Sequence, residues 1–220
     1  MELDAKNRIA KRVAQEFQDG DVVNLGIGVP TLATNYVPEG VNVIFQSENG
    51  IVGIGGKPQT EEEIDKDICD AGGFDATLTY GACVVDSNAS FGLIRGKHLA
   101  ATVLGTLEVD QYGNIANYTI PGKMMPGMGG AMDLVCGARK VIVASLHNAP
   151  DGSPKIVEQC TLPLTGARKV KLIVTEIAVM EVTPEGLLLK EVAPGITPAE
   201  VQARTGCKLI IPETVPEMNF

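Results

Sequence analysis

Val22-Val23-Asn24-Leu25-Gly26-Ile27-Gly28-Val29-Pro30 is the stretch that sets the fold class. Its first four residues read as a short buried strand, and the glycines after them mark the tight turn by which a strand leaves a sheet. Upstream, residues 5 to 18 place Ile9, Val13 and Phe17 beside Ala10 and Ala14 on one face. Lys11, Arg12, Gln15 and Gln18 fall mostly elsewhere, so the segment is an amphipathic helix, with Asp4 to cap it and Gly20 to end it. Downstream, Val41 to Gln46 is a second β-rich run that stops at Ser47-Glu48-Asn49-Gly50.

Further strands are expected at Thr77 to Tyr80, Leu99 to Leu104, Lys140 to Ala144, Leu172 to Thr175, Ala178 to Val182 and Leu187 to Glu191. Pro184-Glu185-Gly186 between two apolar runs predicts a hairpin, which makes the sheet mixed. Thr197-Pro198-Ala199-Glu200 carries the capping-box pattern and opens a short helix to Thr205, closed by Gly206. Lys57 to Asp70, with Glu61-Glu62-Glu63, reads as a solvated loop or short helix, because charge runs usually mark exposed faces. There is no repeat, low-complexity tract or linker. The expectation is one α/β domain over residues 1–220, an open mixed sheet with helices packed on it.

The 220 residues are 45% hydrophobic and 20% charged, an ordinary globular mix that excludes a disordered or fibrous chain. A net charge of -9 argues against a nucleic-acid or anionic-membrane surface, which needs clustered Lys and Arg. A phosphate-bearing ligand must then be held locally, by backbone NH groups, by Arg95, Lys97 or Lys123, or by a partner chain. Cys69, Cys83, Cys136, Cys160 and Cys207 are odd in number and never spaced Cys-x-x-Cys, which suits reduced thiols in a cytoplasm. Only His98 and His147 could join them, so no metal site is expected. The N-terminus lacks the apolar run of a signal peptide, and no apolar stretch is long enough to span a bilayer.

Few residues can carry chemistry. Neither histidine accompanies a nucleophile elbow, and structural or solvated roles are expected for both. Gly26-x-Gly28 lacks the third glycine of a dinucleotide fingerprint, with Thr31 in its place, and reads first as a tight turn whose NH groups can face an anion. Glu48 is different: a carboxylate at the end of an apolar strand, before glycine, suits packing badly, and strand ends are where open α/β sheets bind ligands. A base, a nucleophile, a metal ligand or a solvated turn residue all fit that position. The second unusual segment runs from Ile120 to Asp133, where Gly129-Gly130 can present consecutive NH groups as an oxyanion hole requires.

At these two segments the chain resembles the β subunit of family I CoA transferases and the C-terminal half of the fused succinyl-CoA:3-oxoacid CoA transferases. The likeness covers nearly the whole chain: Asn24 to Pro30, Gln46 to Gly50, Leu93 to Gly96, Ile120 to Met124, Gly127 to Val135 and Cys160 to Thr165. It implies that Glu48 is the nucleophile, with the NH of Gly130, and with it Gly129, holding the oxyanion. Asn24, Gly26, Gly28, Ser47, Asn49, Gly50 and Lys123 are the expected substrate- and CoA-binding positions.

The resemblance further implies a partner α subunit, in an αβ or α2β2 complex, that supplies a second oxyanion donor and much of the CoA surface. Coenzyme A is then a substrate, and no permanently bound cofactor or nucleic-acid partner is expected. The acid would be short, of the acetate, butyrate or acetoacetate class. An acyl-CoA hydrolase on the same scaffold and a non-catalytic ligand-binding module are the alternative readings. Two departures stand out: one extra residue near Cys83 to Ser87, and Lys97 where a glycine is commoner.

Overall fold

Asp4 accepts a hydrogen bond from the Asn7 amide at 2.8 Å and opens helix α1 (Ala5–Ala14) in the computed structural model, which describes residues 4–122 and 127–220. There follow β1 (Val22–Leu25), β2 (Ile44–Ser47), β3 (Ile51–Ile54), β4 (Leu78–Val84), α2 (Ser87–Arg95) and β5 (Ala101–Leu104). Next come β6 (Glu108–Asp110), β7 (Ile115–Ala116), α3 (Ala131–Gly137), β8 (Lys140–Ala144), β9 (Ile156–Val157) and β10 (Val170–Val174). The chain closes with β11 (Ala178–Thr183), β12 (Gly186–Val192), α4 (Pro198–Arg204) and β13 (Leu209–Ile210).

Ten strands form one sheet in the order β13-β12-β11-β10-β8-β5-β1-β2-β3-β4, and β7-β6-β9 form a small second sheet. The middle five, β10-β8-β5-β1-β2, are parallel. β5 and β8 are covered on both faces and read as nearly continuous apolar runs, whereas β10 carries exposed Lys171, β1 holds buried Asn24 and β2 ends in Gln46 and Ser47. The period of two is still visible in what they touch: Val141 and Val143 pack with Ile94, Leu134 and Val135, whereas Ile142 and Ala144 pack with Ile9, Val13 and Phe17. So α1 covers one face while α2 and α3 cover the other. On the flanks, β2-β3-β4 and β10-β11-β12 turn antiparallel, which makes the sheet mixed as expected.

The hairpin at Pro184-Glu185 pairs Thr183 with Gly186, and the capping box of Thr197 and Glu200 is fully formed. Lys57 to Asp70 is mostly exposed, with one short turn at Glu61–Glu63. Several expectations are corrected. Helix α1 ends at Ala14 instead of residue 18, although Phe17 stays buried with its ring edge-on to Phe45, centroids 6.0 Å apart. Arg12, placed by its charge on the polar side, is buried. It earns that position through a bidentate pair with Glu191 of β12 (2.8 and 2.7 Å) and a bond to Glu16 at 2.7 Å. Helices α2 and α3 were not anticipated: each is short, and glycines break its apolar period.

Candidate active site

The carboxyl ends of β1, β2 and β5 lie along one sheet edge, and β1 is the strand from which the order departs in both directions, to β2 and to β5. Crevices at such reversals are where open α/β sheets hold ligands. Glu48 sits there, on the turn joining β2 to β3. Ser47 pairs with Ile51, so Glu48-Asn49-Gly50 is a three-residue hairpin loop, closed by the Gly50 amide donating to Ser47 O at 3.0 Å. Gly50 is at φ 121, and a Cβ there would come within 2.2 Å of Val85 O, so no other residue fits.

Beneath this turn lies a buried polar chain. Asn24, fully buried in β1, donates from Nδ2 to Gln46 O and Oε1, both at 3.0 Å, and to Glu48 Oε2 at 3.4 Å. Gln46 in turn donates to Ser90 Oγ on α2 at 2.9 Å, and Ser90 donates to Glu48 O at 2.9 Å. Ser47 and Asn49 point the other way, toward a neighbouring loop. Ser47 Oγ accepts from the Ala71 amide (3.0 Å), and Asn49 Nδ2 donates to Cys69 O (2.8 Å). Both side chains therefore tie residues 69–71 to the Glu48 turn.

Above the turn lies Gly130, at the start of α3. It is buried, and a Cβ built on it would stand 3.1 Å from Glu48 Cγ, 3.3 Å from Phe91 Cζ and 3.4 Å from Glu48 Oε1. Gly130 is held there by the packing of α2 on α3: Gly137 approaches so closely that its Cβ would meet Ile94 O at 2.2 Å, and Arg95 pairs with Asp133 at 2.8 Å. The same Arg95 lies over the Phe91 ring, 5.4 Å from its centroid. Gly129 has φ 51 and open space around it.

Of the residues singled out in the sequence, then, Glu48, Gly130 and Asn24 converge on one point, and Ser47, Asn49 and Gly50 shape the turn. Gly26 lies against β5, its amide donating to Val103 O at 2.8 Å. Gly28 (φ 94) accepts from Thr31 Oγ1 at 2.7 Å, and the short 3-10 helix Pro30–Tyr36 follows in place of the α-helix a dinucleotide turn would need. Lys123 lies outside the described residues. Sequence reading missed Gln46, Ser90 and Phe91. Asp86, which caps α2 by accepting from the Ala89 amide at 2.8 Å, was the available signal for the last two. Lys97 has φ 61, a conformation that favours glycine, and nothing in the structure explains the lysine there.

The histidines stand apart. His98 is exposed, whereas His147 is fully buried with its ring nitrogens 3.1 and 3.0 Å from the hydroxyls of Thr175 and Thr205. Burial, with Arg204 nearby, pushes its pKa down to about 4. The unfolded chain protonates this imidazole below about pH 6.5 and the folded one resists until about pH 4, so acid favours unfolding across that window. The unfolding free energy from urea titrations should fall as pH drops from 7 to 4, with His147 contributing on the order of 3 kcal/mol to that fall. His147→Gln should flatten that slope. Burial likewise raises the Cys160 thiol to about 12 and Cys207 to about 11, which makes both poor nucleophiles. Among the described residues no group of His, Cys, Asp and Glu could hold a metal ion, and no helix is long and apolar enough to cross a membrane.

Fold and site together define an α/β protein organised around one carboxylate at the end of a parallel strand, faced by a buried glycine. The chain belongs to the coenzyme A transferase family, whose model matches residues 6–204. It is 53% identical over 217 residues to the acetate CoA-transferase subunit beta of Escherichia coli K12, covering 99% of this chain and 97% of that one. It is 45% identical to human mitochondrial succinyl-CoA:3-ketoacid coenzyme A transferase 2, covering 99% of this chain but only 42% of the human protein. An acyl-CoA transferase crystal structure from Escherichia coli O157:H7 superposes with a TM-score of 0.78 at 22% identity. This chain is covered completely there and spans 44% of that protein, a likeness of fold.

Proposed function

We propose that the chain is the nucleophile-bearing β subunit of a CoA transferase that moves CoA between a short-chain acyl-CoA and a free carboxylate of the acetate, butyrate or acetoacetate class. The observation that carries this reading is the close approach of buried Gly130 to the Glu48 side chain, with room for no more than a hydrogen where a Cβ would stand 3.1 Å from Glu48 Cγ, on a glycine-locked turn. A solvated turn residue needs no buried glycine against it, nor a buried asparagine beneath it.

In this reading a Glu48 carboxylate oxygen attacks the thioester carbonyl, the C–S bond breaks, and CoA leaves as thiolate, giving an acyl-glutamyl anhydride. The thiolate then attacks the Glu48 carbonyl carbon, the first acid departs as carboxylate, and a glutamyl-CoA thioester remains. The acceptor carboxylate runs the same steps backward and leaves as the new acyl-CoA. The thioester is conserved throughout, so no ATP is consumed, and the kinetics are ping-pong. Amides of Gly130 and Gly129 are the oxyanion donors that this chain contributes.

An α subunit completes the site. Two relatives are named as beta subunits, and the human relative carries additional sequence in the same chain. The sheet edge at β4 supports such a partner: Tyr80 is fully exposed, and Leu78, Val84 and the preceding Phe74 are also exposed. Uncovered apolar edge strands are uncommon in soluble monomers, and apolar patches of this kind mark interfaces. Among the described residues, Arg95, which packs over Phe91 beside Gly130, is paired with Asp133, and the partner is the expected source of most of the grip on the CoA phosphates. Five unpaired cysteines support a cytoplasmic setting.

The test is acyl-CoA consumption by the αβ complex with and without an acceptor acid, followed by borohydride reduction after incubation with acyl-CoA alone. Turnover beyond one equivalent of acyl-CoA per site should require the acceptor, and the Glu48 peptide should carry the alcohol. Multiple turnover without acceptor would indicate a hydrolase, and an unmodified Glu48 peptide would sink the nucleophile assignment.

A further inference from the structure

The polar chain beneath Glu48 has a direction. Thr102 Oγ1 donates to Asn24 Oδ1 at 3.3 Å, which leaves the Asn24 amide nitrogen facing three acceptors: Gln46 O, Gln46 Oε1 and Glu48 Oε2. With Gln46 Oε1 accepting, Gln46 Nε2 must donate, and it does, to Ser47 O at 3.0 Å and Ser90 Oγ at 2.9 Å. Ser90 Oγ thus accepts a hydrogen bond from Gln46, and its own single hydrogen is left for Glu48 O. Thr102, Asn24 and Ser90 are fully buried and Gln46 is 2% exposed, so water does not compete for these bonds.

Both ends of Glu48 are therefore held by one network: the main-chain carbonyl by Ser90, and the carboxylate by Asn24. The two grips are unequal. Asn24 has two N–H hydrogens for three acceptors, and the two on Gln46 are nearer, so the carboxylate receives the longest bond. Such a contact aims the carboxylate without binding up the lone pair that must attack. The firm grip is at the backbone, where Ser90 of α2 fixes the point from which the Glu48 side chain starts. Phe91, the next residue on α2, touches the space beside Gly130, so the same helix sets both the nucleophile and the glycine facing it.

We propose that Ser90 is a positioning residue for Glu48, acting through the Glu48 carbonyl, and that Gln46 fixes the direction in which the Ser90 proton points. This rests on the reading of Glu48 as nucleophile. Ser90 itself, buried beneath the turn, acts through Glu48 rather than on substrate.

The experiment follows the first half-reaction alone. The αβ complex is mixed with acyl-CoA and no acceptor, and the glutamyl-CoA adduct on Glu48 is timed by mass spectrometry in wild type, Ser90→Ala and Ser90→Cys. Ser90→Ala should form the adduct about 10- to 100-fold more slowly, the scale expected for a small misplacement of a reacting group. Its KM for acyl-CoA should stay within about two-fold, since the substrate contacts are intact. Ser90→Cys, keeping a weaker donor, should fall between the two. A merely structural hydroxyl would lower the melting temperature and leave the adduct rate per folded molecule unchanged. If Ser90→Ala, or Ser90→Cys should the alanine variant fail to assemble, labels Glu48 at the wild-type rate, the positioning role is overturned. If wild type itself forms no adduct, the nucleophile assignment fails instead.

Discussion

Glu48→Gln should abolish CoA exchange in the αβ complex, by on the order of 10⁴-fold or more, while leaving the chain folded. The size follows from what is lost. An amide oxygen does not displace a thiolate from a thioester, so neither the anhydride nor the glutamyl thioester forms, and removing the nucleophile of a covalent mechanism forfeits the whole pathway rather than one contact. The folding half of the prediction is equally specific. The turn is held by Gly50, by the Ser90 bond to Glu48 O and by the Ser47 and Asn49 links to residues 69–71, none of which uses the carboxylate. Among the described residues only the 3.4 Å contact from Asn24 does, and a glutamine oxygen still accepts it. The melting temperature should accordingly stay within about 2 °C of wild type, as for a substitution that disturbs neither packing nor buried hydrogen bonds. Exchange between labelled acetate and acyl-CoA reads the first half, and thermal unfolding the second. Residual exchange above about 1% of wild type would show that Glu48 is not the covalent residue.

How legible this site was in the sequence depended on whether its parts were local. β1 and β8 were readable because buried parallel strands are mostly apolar, and Val22-Val23 or Val141-Ile142-Val143 leave little else to be. The capping box at Thr197 and the hairpin at Pro184 are also local, each fixed by side chains within four residues of one another. Glu48 was conspicuous because a carboxylate is poorly placed at such a strand end. Ser90, Gln46 and Phe91 gave no such signal: a serine and a phenylalanine in a short helix and a glutamine in a strand are ordinary until the fold brings residues 24, 46, 48 and 90 together. Arg12 was misplaced for the same reason. A charge on an amphipathic helix reads as solvent-facing unless one knows that Glu191, 179 residues away, is waiting for it.

Gly130→Ala should keep the fold and lower exchange about 10- to 100-fold, and its contrast with Gly129→Ala shows why. Gly130 has φ -81 and ψ 0, a conformation any residue adopts, so the added methyl costs nothing in the backbone. What it meets is Glu48 Cγ at 3.1 Å and Phe91 Cζ at 3.3 Å, closer than carbon atoms normally sit, with Glu48 Oε1 at an ordinary 3.4 Å. The more mobile partner is the Glu48 side chain, which must give by a few tenths of an ångström from the position it holds over Asn24, and displacing a reacting group lowers the rate by up to about 10²-fold. Gly129→Ala reverses the balance. Its Cβ would touch nothing within 4 Å, but φ 51 puts an alanine in the left-handed region at a cost of about 1 kcal/mol. Gly129→Ala should therefore lower the melting temperature and spare much of the activity, whereas Gly130→Ala should do the opposite. Activity and stability measured on both variants in the same αβ complex decide the matter. Equal losses of activity in the two would mean that the segment acts through its backbone amides alone, and that the missing side chain at Gly130 does not set the rate.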